Sequence, residues 1–80
     1  MKIEKRDGRV EDFDRSKIVA GVSAAGEEEK AEEIAAQVEE WAKDAAVGDT
    51  IGWSAIREKV LELLRVSNPE AAARFEEYKK

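Results

Sequence analysis

The dipeptide Asp7-Gly8 separates two short β-leaning segments, residues 2–5 and 9–13. Asp-Gly is among the strongest signals for a two-residue hairpin, because a type I′ turn needs positive φ at both central positions. In that register Lys5 lies opposite Val10, and Ile3 opposite Asp12. A lone two-stranded ribbon is marginal in water, so it has to rest on another element. The rest of the chain reads mainly as helix, and helices are what the ribbon has to cover.

Asp14 is placed as the N-cap of RSKIVAGVSAAG, in which Ile18, Val22 and Ala25 share one face and Val19 lies at its edge. Gly26 supplies a C′ stop. The longest predicted helix, 27–46, opens with Glu27-Glu28-Glu29 at the positive end of its dipole, and Gly48 closes it. Its apolar stripe is Ala31, Ile34, Ala35, Val38, Trp41, Ala42 and Ala45. A third helix over 53–66 carries Ile56, Val60, Leu63 and Leu64, widened by Leu61. Asn68-Pro69-Glu70 restarts the chain as N-cap, N1 and first-turn acid of a last helix, 69–79, which offers Ala72, Phe75 and Tyr78 to the core. The predicted fold is α+β and mostly helical: an N-terminal β-hairpin caps a bundle of about four short helices, in one domain over 1–80.

Neither cysteine nor histidine occurs among the 80 residues, which removes disulfides, a cysteine nucleophile and the usual zinc spacings. General acid–base work near neutral pH wants a group tuned to that range, and the serines sit at helix starts or on exposed faces, so no enzyme is expected. Absence of cysteine suits a reducing compartment, and neither a signal peptide nor a membrane-length apolar run is seen, so a cytoplasmic location is expected. The net charge of −5 argues against nucleic-acid binding, which needs basic surface to displace counterions. The charge is uneven, however. Residues 1–17 hold six basic and five acidic side chains, while the other 63 hold eight and fourteen.

Lys5 and Arg6 lead into the hairpin turn, Arg9 follows it, and Lys17 lies one turn into the first helix. Cations converging from different elements, with a helix start beside them, can hold phosphate. An adenine ring needs instead an apolar wall, for which Ile3, Phe13 and Ile18 are candidates, and acceptors for its amine, for which Glu11 and Asp14 are candidates. Each of these residues also has a purely structural account. Asp-Gly is a turn, Asp14 a cap, and basic residues on a ribbon protect its edge. Spacing alone favours that plainer account and leaves a nucleotide site open.

The stretch KRDGRVEDFDRSKI resembles the opening of the ATP-cone domain, where a Lys-Arg-Asp-Gly hairpin leads through a Phe-Asp pair into a helix bearing Lys-Ile. IGWSAIREKVLELLR occupies the place of that family's third helix, and NPEAAARFEEYKK is similar to its closing segment. The resemblance implies a regulatory sensor of ATP or dATP, with Mg2+ as a possible companion, linked to ribonucleotide reductases or to the repressor of their genes. It implies phosphate contacts from Lys5, Arg6 and Lys17. Glu11 and Asp14 would read the adenine, Ile3 and Ile18 would pack on it, and Arg57 would add a polar contact. Trp53 stands where many members carry a small hydroxyl residue, so stacking replaces that contact or the contact is lost. The expected partners are the adenine nucleotide together with a second copy or a partner enzyme or regulator chain. The alternative is a non-catalytic interaction or structural module that keeps the fold and has lost the ligand.

Overall fold

β1 (Lys2–Glu4) is the middle strand of a three-stranded sheet of order β2-β1-β3. β2 (Val10–Asp12) pairs with it antiparallel and β3 (Thr50–Gly52) parallel. Four helices follow among the described residues: α1 (Arg15–Ala24), α2 (Ala31–Ala45), α3 (Trp53–Ser67) and α4 (Pro69–Tyr78). This arrangement, a computed structural model, describes the backbone of residues 1–78 and the side chains of 1–77. The expected inward position of Tyr78 and the extension of the last helix to 79 lie outside the described residues. The fold is α+β and mostly helical, as expected, with the sheet built on the N-terminal hairpin.

The hairpin loop differs from the two-residue turn that Asp7-Gly8 suggests. The Lys5 N–H donates to the Arg9 carbonyl at 2.7 Å, and the Gly8 N–H donates to the Lys5 carbonyl at 3.0 Å. Gly8 has φ 88°, whereas Asp7 stays at negative φ. This is the three-residue loop in which a turn runs into a glycine bulge. Asp7 favours it by accepting from the Arg9 backbone N–H at 3.1 Å and from Arg9 Nε at 2.7 Å. The register is therefore one residue from the expected one, with Ile3 opposite Glu11 and Lys2 opposite Asp12. A slip of one exchanges the faces of a strand, so Glu11 shares the face of Ile3.

The type I′ geometry occurs instead at Gly48-Asp49, with φ 58° and 66°. Val47 and Thr50 exchange backbone hydrogen bonds of 2.9 and 3.1 Å across it. This turn delivers β3 to the free side of β1. Ile51 then lies beside Ile3, and both are buried.

The helix ends follow local chemistry. Asp14 caps α1 by accepting from the Ser16 N–H at 3.0 Å. Gly26, at φ 107°, ends α1 in a Schellman pattern: its N–H donates to Ser23, and that of Glu27 donates to Val22. Glu27 thus belongs to the turn that ends α1, and α2 starts at Ala31 rather than 27. Glu27 instead accepts from the Asn68 side-chain amide at 3.2 Å, while Asn68 caps α4 by accepting from the Ala71 N–H at 3.1 Å.

α1 packs on α2, α2 on α3 and α3 on α4. The buried stripe of α2 is Ala31, Ile34, Ala35, Val38 and Ala42; Trp41 is half-buried at its edge, and Ala45 is exposed. Ile56, Val60, Leu61 and Leu64 of α3 meet Ala71, Ala72 and Phe75 of α4 in the same core. Phe75 is the largest fully buried side chain among the described residues, and a Cβ on Gly21 of α1 would lie 3.3 Å from its ring. The bundle thereby presents the starts of α1 and α3 to the sheet.

Candidate functional site

The three strands leave Ile3, Lys5, Glu11 and Asp12 beside Asp14, Lys17 and Ile18 from the start of α1 and Trp53 from the start of α3. Together they line a cleft of about 130 Å³. Ile3 and Ile18 are buried and form its apolar floor. The cross-strand pairing of Ile3 with Glu11 sets a carboxylate directly beside that floor.

Glu11 joins the two lysines. Its Oε1 lies 3.4 Å from Lys17 Nζ and 3.7 Å from Lys5 Nζ. The Lys5 ammonium also stands over the Trp53 ring, 5.3 Å from the centroid, in cation–π range. Trp53 is the first residue of α3, and its N-cap Gly52 offers no side-chain cap to the helix start. Side chains at a helix start lean back toward the preceding chain, which turns Trp53 toward β1.

The other two lining carboxylates are engaged differently. Asp14 Oδ1 accepts from the Ser16 hydroxyl at 2.6 Å as well as from its N–H. That hydroxyl, then the N–H, and nearby Lys17 hold the Asp14 carboxyl below its ordinary value. Asp12 pairs with Lys2, and the hydrogen bond from Lys2 is the main reason its carboxyl is also lowered.

Of the residues expected to bind a nucleotide, Ile3, Lys5, Glu11, Asp14, Lys17 and Ile18 thus meet in one cleft. Arg6 is exposed at the hairpin loop and does not line it. Arg57 lies outside the lining too. Its Nη2 donates to the Glu76 carbonyl on α4 at 3.2 Å, and its Nε is buried with no partner among the described residues. Asp12 lines the cleft without having been expected there, and Trp53 lines it at the position where the family resemblance set stacking in place of a hydroxyl contact. Only the parallel strand β3 brings Trp53 to Lys5, and nothing local announces that pairing. Among the described residues, no group of three or more carboxylates is arranged to hold a metal ion. No helix among them is long and apolar enough to cross a membrane.

Comparison with known proteins assigns the chain to a family. The family model described as the ATP cone domain matches residues 1–80. The chain is 37% identical over 78 residues to a protein named transcriptional repressor NrdR from Syntrophus aciditrophicus (strain SB), an alignment covering 91% of this chain and 48% of that one. The chain therefore spans about half the length of the curated relative it matches. By the match along its whole length, the chain belongs to the ATP cone domain family.

Proposed function

We propose that the chain is an adenine-nucleotide-binding regulatory domain, taking ATP or dATP in the cleft between the sheet and the starts of α1 and α3. One observation carries this reading: an apolar floor, a carboxylate acceptor and two lysines from different elements converge in a single cleft of an ATP cone. Ligand pockets usually offer about 300 Å³ or more. A cleft of about 130 Å³ suits the base, leaving the phosphates to Lys5 and Lys17 at its rim. Arg6 at the adjoining loop is free to join them. Mg2+ enters this reading as a companion of the phosphates.

In this reading the domain binds its ligand without turning it over, in keeping with a chain that holds neither histidine nor cysteine. It exerts its effect as an allosteric sensor through a second copy or a partner chain. The relative named a transcriptional repressor favours a regulator of gene expression. The net charge of −5 leaves contact with nucleic acid to other segments or chains.

Titration with ATP and dATP, followed by Trp emission and backbone amide shifts, tests the reading. Saturable shifts at residues 3–18 support it. Silence at millimolar nucleotide from demonstrably folded protein sinks it and leaves a cone that serves only as an interaction module.

A further inference from the structure

Three carboxylates and two lysines line the cleft, an unpromising balance for a polyanion. The carboxylates differ, however, in what their present bonds do. Asp14 holds the start of α1, and turning it away from Ser16 uncaps the helix. Asp12 is committed to Lys2, across the ribbon. Glu11 alone among them spends its carboxylate on the two lysines of the cleft itself.

We propose that Glu11 couples phosphate binding to base recognition, holding Lys5 and Lys17 until a phosphate chain takes them and only then turning to the exocyclic amine of the base. This rests on the nucleotide reading, in which Glu11 already accepts from the base, and adds to it the coupling of that contact to the phosphates. Ion pairs this accessible to water are weak and exchange readily. A phosphate chain brings more charge and more acceptor oxygens than one carboxylate, so it wins both lysines. Glu11 left beside that chain would then face like charge, and turning away relieves it. Its strand position supplies the new partner. Glu11 is paired directly with Ile3, and such cross-strand neighbours have Cβ atoms about 4.5–5.5 Å apart, so a base resting on Ile3 comes within reach of the freed carboxylate.

The consequence is positive coupling between the two halves of the ligand. A nucleoside without phosphates finds its acceptor occupied, and a phosphate chain without a base has to displace a carboxylate that gains nothing in return.

The test uses inorganic tripolyphosphate, adenosine and ATP, titrated by calorimetry into the wild-type chain, Glu11→Gln and Asp12→Asn, each checked for folding by circular dichroism. Tripolyphosphate is expected to bind Glu11→Gln about three- to tenfold more tightly than wild type. Asp12→Asn removes the same charge without releasing the lysines, and its gain should be clearly smaller. Saturating tripolyphosphate should raise the affinity of the wild type for adenosine and leave that of Glu11→Gln unchanged. Equal gains in the two variants, or adenosine binding indifferent to tripolyphosphate in the wild type, overturn the coupling while ATP binding still stands. Failure of the folded wild type to bind ATP overturns the nucleotide reading and the coupling together.

Discussion

The Lys5 ammonium stands 5.3 Å from the centroid of the Trp53 ring, so one cation of the cleft is paired with a built-in aromatic reporter. A second such pair, Lys59 over Trp41 at 5.6 Å, joins α2 and α3 away from the cleft and serves as an internal reference. Any anion that draws Lys5 off Trp53 changes the surroundings of one indole and leaves the other alone.

The nucleotide-dependent emission change is therefore expected to persist in Trp41→Phe and to vanish in Trp53→Phe. Fluorescence titration of the two variants against ATP checks it. A signal carried by Trp41 would place the ligand elsewhere than in the cleft.

Lys5→Ala combined with Lys17→Ala removes both lining cations. Each charge-assisted contact is worth about 1.5–3 kcal/mol, so ATP affinity should fall at least about 100-fold. The pairs these lysines make with Glu11 are accessible to water, so the melting midpoint should move by less than about 5 °C. Calorimetric titration and thermal melts read the two effects separately. Normal ATP binding by the folded double variant would remove the phosphate assignment.

Phe75→Ala should destabilise the fold by about 3–5 kcal/mol, since the ring is 2% exposed and wedged against Gly21. Small domains hold only about 5–15 kcal/mol in all, so this single change consumes a large share. Urea unfolding should show a lower midpoint at an unchanged slope. A smaller loss in Phe75→Leu, which keeps much of the volume, distinguishes lost packing from a general defect.

Asp14 gives the fold a dependence on acid with a definite sign. Its folded-state pKa is lowered, chiefly by the Ser16 hydroxyl, so the unfolded chain takes up the proton first. The stabilising contribution is complete above the ordinary carboxylate value of about 3.9 and is lost as pH falls from there through the folded value. Asp14→Asn keeps a capping acceptor but no titrating one. The stability difference between wild type and Asp14→Asn should accordingly shrink below about pH 4, as chemical unfolding across pH 3–7 can measure. A difference that stays constant through that range counts against the carboxylate's role.

Residues that act on their neighbours announced themselves in the sequence. Asp14 before α1, Gly26 after it, and Asn68-Pro69 before α4 each bond within a few residues, so their positions were legible from spacing alone. Glu27 misled for the same reason. Three consecutive glutamates read as a first helical turn, but Glu27 belongs to the Schellman turn that ends α1, and α2 starts only at Ala31. Asp7-Gly8 gave the hairpin but not its register, which turned on the Asp7 carboxylate reaching Arg9. β3 was invisible because three residues with one buried side chain, Ile51, are too few to establish a period in the sequence. Its partner is remote in sequence. Most of the cleft could therefore be named from residues 3–18, while Trp53 could be placed near it only through the family resemblance and its approach to Lys5 not at all.

β3 also decides when the cleft can exist. The lining residues from Ile3 to Ile18 leave the ribosome well before β3, so β1 lacks its second neighbour until α1, α2 and the Gly48-Asp49 turn have been made. The opening segment is for that reason not a portable motif. Transplanted or translated alone, it would carry both lysines and Glu11 with no Ile51 to hold the strand and no indole beside Lys5, so competence arrives only with the second half of the chain.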